Sequence, residues 1–195
     1  MSKPFYSLLF AAITCLILNA CSSKIDSVKE AKLLSDQKTP VDSEMSHFLI
    51  DAVNDRRMEY NEGMLATERG TTSAIRHYGE LIVRDQAYLL GELKIIAACR
   101  KVQLPESLSN KKSKLLTELR EKQGEEFDKK FIKMITKDHE RALRQFEKAG
   151  VMKDRYIRIF AKRYAYMIQS HLDQLEKLKA QSDQNSGKLT SVVSN

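Results

Sequence analysis

The sequence predicts an all-α fold of four long helices, and three observations predict it. Residues 43–181 contain six glycines (Gly63, Gly70, Gly79, Gly91, Gly124 and Gly150) and one proline, Pro105. An interior proline costs a helix about 3 kcal/mol and a glycine about 1, so a stretch this poor in breakers reads as long helices. Apolar residues recur at three, four and seven along each segment, which is the period of one helical face. No strand pattern competes.

The first long helix is expected over residues 43–69, with Ser43 as N-cap and Glu44 in the first turn, where a carboxylate complements the helix dipole. Gly70-Thr71 breaks it. The second is expected over 72–101, with Ile75, Tyr78, Ile82, Leu89, Leu93 and Ile96 on one face. A short helix from Ser107 or Ser109 to Lys122 turns Leu108, Leu115, Leu116 and Leu119 inward. The third long helix, 125–149, uses Phe127, Phe131, Met134, Ile135, Leu143 and Phe146. The fourth, 153–181, uses Ile157, Phe160, Ala161, Tyr164, Ile168, Leu172, Leu175 and Leu178. Such faces bury one another in a four-helix bundle. The connection between the second and third helices is long enough, with its short extra helix, to cross the bundle end to end, as in a ferritin-like topology.

Both ends of the chain fall outside that bundle. Lys3 and the apolar run Phe5–Leu18 have the form of a signal peptide over residues 1–20, too short to span a bilayer. The run ends in Leu18-Asn19-Ala20-Cys21, the form of a lipobox, so Cys21 is the expected lipidation site and the bilayer an expected partner through its acyl chains. Residues 21–42 read as the lipidated cysteine and a flexible tether, 43–181 as the bundle, and 182–195 as a disordered tail rich in Ser, Asn and Gln. Removing the leader removes Cys15. Cys99, in an Ile-Ile-Ala-Ala-Cys context, is expected to be a small buried hydrophobe. The formal charge of +7 falls to +6 without Lys3. The basic residues alternate with acids along helices, as on a solvated surface, and no nucleic-acid partner is expected.

Several ionisable residues lie on or beside the apolar faces: Glu59, Asp85, Gln86, Asp138, His139 and His171. At about 1.5 Å of rise per residue, Glu59, Asp85 and His139 share a level near mid-bundle, with His171 about 5–10 Å away. The structural reading is a buried hydrogen-bond network of these six, tolerable when its members satisfy one another. The alternative is a metal ion held by Glu59, Asp85, His139 and His171. Di-metal bundles use a Glu-x-x-His on each of two helices, whereas the one such motif here, Glu44 to His47, opens the first helix. No catalytic residue emerges, since no nucleophile elbow or oxyanion loop is present.

The spacing Glu59-x3-Gly63-x2-Ala66, then Ile75-Arg76-x-Tyr78-Gly79-x2-Ile82-Val83-x-Asp85, resembles the domain-of-unknown-function 4142 family. Leu104-Pro105, Phe127-Asp128-x2-Phe131-Ile132-x-Met134-Ile135-x2-Asp138-His139, Phe160-Ala161 and His171-Leu172 extend the resemblance over residues 46–178. It implies a ferritin-like helical bundle, exported and often assigned to the outer membrane, without an established activity. Gln86 departs from the family, which commonly has histidine there, and glutamine is a poor transition-metal ligand. The functions these readings allow are a non-catalytic envelope lipoprotein with a protein partner or a stress role, a metal-binding or redox bundle, and recognition of an anionic envelope component. Ser22, rather than aspartate, follows Cys21, which by resemblance to sorted lipoproteins implies the outer membrane, facing the periplasm.

Overall fold

The computed structural model describes residues 26–36 and 43–193, with side chains described through residue 181. The expected signal peptide, Cys21 and the first residues of the tether lie outside the described residues. Among the described residues all regular structure is helical: α1 (Ser27–Asp36), α2 (Ser43–Arg69), α3 (Ser73–Cys99), α4 (Asn110–Arg120), α5 (Gly124–Ala149) and α6 (Arg155–Val193). The four long helices and the short one between them stand where the sequence places them.

Local chemistry sets their ends. The Ile75 amide donates to Thr72 Oγ1 at 3.2 Å and the Lys112 amide to Ser109 Oγ at 3.4 Å, so side chains satisfy amides that each helix start leaves free. After α3, Lys101 takes a left-handed conformation, φ 56°, and the Val102 amide turns back to the Ala97 carbonyl at 2.9 Å, an ending that usually takes glycine.

Pairings along the helices give their directions. Gln86 meets Glu59, and Asp85 and Glu92 meet His171 and Tyr164, so α3 runs antiparallel to both α2 and α6. Asp138 and Arg141 lie beside Asp55, and Phe146 beside Phe48, so α5 is antiparallel to α2 and parallel to α3. Two antiparallel hairpins, α2–α3 and α5–α6, are therefore joined by one crossover. That crossover runs alongside α2: Arg57 donates to the Pro105 carbonyl, the Ser109 amide to Asn54 Oδ1 at 2.9 Å, and Arg69 to the Arg120 carbonyl. This is the end-to-end crossing of the ferritin-like arrangement.

The apolar interior comes in two parts. One cluster holds Phe48, Leu49, Val53, Leu89, Leu93, Phe146, Phe160 and Ile168; the other holds Met58, Ala66, Ile75, Ile82, Phe127, Phe131, Ile135 and Leu175. On every long helix the two are separated by polar residues, and these form the candidate site.

Three features differ from the sequence reading. Part of the expected tether is α1, whose Val28 and Ala31 are buried against Ile50 with Val102 alongside; these two apolar residues, three apart, give the short helix one face to seat on its neighbour. Helix α6 continues to Val193, through the stretch expected to be a disordered tail; that stretch holds one glycine and no proline to stop it. Cys99 is exposed, not buried. Leu89, Leu93 and Ala97 point inward, and a residue two beyond Ala97 is turned about 200° away from that stripe.

Candidate functional site

A layer of polar side chains crosses the bundle between the two apolar clusters. On α2, Arg56 and Glu59 are one turn apart and both fully buried. Arg56 Nη1 donates to Glu59 Oε2 at 2.8 Å, and Nη2 lies 2.7 Å from Oε1 as an ion contact without hydrogen-bond alignment. From α3, Gln86 Nε2 donates to the same Oε2 at 2.9 Å. From α5, His139 Nδ1 approaches it to 3.5 Å. His139 Nε2 is 3.1 Å from His171 Nδ1 on α6, and His171 Nε2 is 2.9 Å from Asp85 Oδ2 on α3. Asp85 is the outer end of this series, its side chain 18% exposed and paired with Arg84.

The protons in that series can be counted. His139 Nδ1 also lies 3.0 Å from the Ile135 carbonyl, so three contacts run from that carbonyl through both rings to Asp85, with acceptors at each end. Three hydrogen bonds need three ring protons, and two neutral imidazoles bring two. Burial holds His139 well below the usual histidine range, with His171 adding to the effect, and burial lowers His171 against the pull of Asp85. Both rings are therefore neutral near pH 7. Burial pushes Asp85 up, but its hydrogen bonds with Arg84 and His171 outweigh that and hold it ionised. With the His171 Nε2–H given to Asp85, the one proton of His139 serves either the Ile135 carbonyl through Nδ1 or His171 through Nε2, and the other contact goes without.

Glu59 lies on the Nδ1 side of His139. Burial, outweighing Arg56, pushes its carboxyl up to about 7. Glu62, one turn on and fully buried, has neither carboxyl oxygen hydrogen-bonded. Burial, with the charges of Asp138 and Glu59, raises it well above the carboxylate range.

These shifts oppose one another in sign. Carboxyls with raised values favour the folded state below about 4.5, and that contribution is lost as pH rises through their folded values. Histidines with lowered values favour it above about 6.5, and that contribution is lost as pH falls through theirs. Between about pH 5 and 6 the histidine and carboxyl contributions thus slope in opposite directions and offset one another. Relative to wild type, Glu62→Gln is expected to change the slope by about 1.4 kcal/mol per pH unit toward loss at lower pH, and His139→Gln by about as much the other way. Chemical denaturation at intervals between about pH 5 and 6 checks this. Variants that keep the wild-type slope would exclude these contributions.

The family described as Domain of unknown function (DUF4142) matches over residues 31–178. The chain belongs to this family. No curated protein and no solved structure gives a significant match. The match begins at residue 31 and so takes in only the second half of α1.

Of the residues singled out from sequence, Glu59, Asp85, Gln86, His139 and His171 come together in one layer. His171 was expected a turn or two off. It closes on His139 because side chains lean toward their own helix N-terminus, and in an antiparallel hairpin these two lean toward each other. Asp138 belongs elsewhere: it pairs with Arg141 at 2.8 Å and lies 3.7 Å from Lys112, which bonds Asp55 at 3.0 Å, in a partly open cluster between α2, α4 and α5. The sequence reading missed Arg56, Glu62, Asp55 and Lys112. The Arg-x-x-Glu-x-x-Glu spacing of Arg56, Glu59 and Glu62 placed them one turn apart, but nothing in it told which face was buried.

The expected metal ligands do not fit an ion. Among the described residues no group of three or more His, Cys, Asp or Glu side chains is placed to hold one. Glu59, Asp85, His139 and His171 lie in series and not around a point. Both nitrogens of His171 face protein partners, and the Arg56 guanidinium already supplies a positive charge against Glu59, where a second cation would be repelled.

Proposed function

We propose that this chain is a non-catalytic envelope lipoprotein, a helical bundle held at the membrane by acylated Cys21 and acting by binding a partner or supporting the envelope under stress. The observation that carries the non-catalytic reading is the serial polar layer. Its histidines, Glu59 and Asp85 are engaged with one another, with Gln86 and with Arg56, and its role is to seat four helices. The lipobox Leu18-Asn19-Ala20-Cys21 supports the anchor, and Ser22 supports the outer membrane, facing the periplasm. Among the described residues no helix is long and apolar enough to cross a membrane; attachment in this reading comes from the acyl chains.

Fractionation of cells making the wild type and Cys21→Ala tests the anchor. The wild type is expected in the membrane fraction, with a mass showing acyl chains on an N-terminal Cys21, and the variant in the soluble or unprocessed fraction. An unmodified, soluble wild type would overturn the reading. Stoichiometric metal, or a rise in Tm on adding Fe, Mn, Zn or Cu that His139→Ala abolishes, would overturn the non-metal role of the layer.

A further inference from the structure

We propose that the flank formed by α1 and the start of α4 lies against the phospholipid headgroups, so that the bundle rests on its side at the membrane. This rests on the anchor reading of Cys21 and concerns what α1 does to it.

The described chain begins pinned to the body. Asp26 Oδ1 accepts from the amides of Val28 and Lys29, which open α1, while its Oδ2 accepts from the Asn110 amide at 2.6 Å, which opens α4. Ser27 Oγ donates to the Ser107 carbonyl at 2.9 Å. Farther along α1, Lys32 pairs with Asp51 at 2.7 Å and Asp36 with His47 at 2.8 Å. With Val28 and Ala31 seated on Ile50, α1 is tied down at both ends and its middle.

Pinning Asp26 shortens the leash. Five residue steps separate it from Cys21, at most about 18 Å of chain at ~3.6 Å each. The headgroup layer takes up roughly 5–8 Å of that, leaving about 10–13 Å above the surface. The pinned point is level with Asn54, whose Oδ1 accepts from the Ser109 amide next to Asn110. At ~1.5 Å per residue, Asn54 lies about 16 Å from the start of α2 and about 22 Å from its end. Standing the bundle on either end would lift the pinned point beyond the leash, whereas lying on this flank does not.

The flank suits headgroups. Lys29 on α1 and Lys111 and Lys114 on α4 are exposed, beside the exposed acids Glu30 and Asp36. Leu33 on α1 is 58% exposed. Exposed lysines and an exposed leucine match the phosphate layer and the glycerol region beneath it.

The test uses full-length acylated protein in phosphatidylcholine–phosphatidylglycerol vesicles carrying a headgroup-attached quencher. In a Cys99→Ser background, a fluorophore is placed at Ser113→Cys, exposed on α4, or at Tyr88→Cys, exposed on α3 across the bundle. Quenching at Ser113→Cys is expected to exceed that at Tyr88→Cys at least about threefold, and inserting about ten Gly/Ser residues after Ser23 is expected to erase the difference. Equal quenching at the two positions in acylated protein would overturn this inference alone, and a difference that survives the insertion would transfer its cause from the leash to the flank's own lysines and Leu33. A chain whose mass shows no acyl group would overturn the anchor reading and this inference with it.

Discussion

Arg56→Met is expected to be among the most damaging single substitutions in this protein, at about 3–5 kcal/mol, because it leaves the Glu59 carboxylate buried without its cation. At roughly 2–4 °C for each kcal/mol in a domain of this size, Tm should fall by about 6–20 °C. The cost has a pH signature. Glu59 escapes by taking a proton, so the loss should be larger at pH 8 than at pH 5. Arg56→Met combined with Glu59→Gln should recover much of it, since the amide can still meet Gln86 and carries no charge. A single variant within about 1 kcal/mol of wild type at pH 8 would show that the Arg56–Glu59 contact contributes nothing.

Gly79→Ala is expected to lose about 1–3 kcal/mol even though alanine is the better helix former by about 1 kcal/mol. A Cβ on Gly79 would stand 2.6 Å from the Thr67 amide nitrogen and 2.7 Å from the Gly63 carbonyl, both backbone atoms with no rotamer to escape into. Helices α2 and α3 would have to part, and the Glu59–Gln86 contact farther along the same pair would lengthen with them. Gly91→Ala is the matched control. Nothing lies within 4 Å of its added Cβ, so it should gain about 0.5–1 kcal/mol. Thermal unfolding of both variants checks the pair; a Gly79→Ala protein as stable as Gly91→Ala would mean the close crossing tolerates a methyl group.

The helices were legible in the sequence where each buries one face. α3, α5 and α6 carry single stripes such as Leu89, Leu93 and Ala97, or Phe127, Phe131 and Ile135, and their inward residues follow from spacing, as do their boundaries except the far end of α6. α2 is different. It is flanked by α1, α3, α4 and α5, and buries Phe48, Leu49 and Ile50 in succession together with Asp55, Arg56, Glu59 and Glu62. A helix buried around most of its circumference has no stripe to read, so Arg56 and Glu62 passed as surface residues. Glu59 was found only because apolar neighbours bracket it at helical spacing. The histidines were found for the opposite reason: each is a single polar residue on an otherwise apolar face. Lys112 was hidden by its run, since Lys111, Lys112 and Lys114 look alike in sequence and the middle one alone turns toward Asp55.

The polar layer also decides which alternatives the bundle rejects. Each hairpin carries half of it: Arg56, Glu59 and Asp85 with Gln86 on one, His139 and His171 on the other. If the α5–α6 hairpin slipped by one turn, about 5.4 Å, leucines and phenylalanines would still find apolar neighbours and lose little. Asp85 would lose its imidazole, His139 would be drawn away from Glu59, and neutral apolar groups would be pressed against buried charge. Two oily hairpins joined by a long crossover have many nearly equivalent ways to dock; mismatched buried charge is expected to make the others expensive, so this layer is expected to hold the protein to a single register.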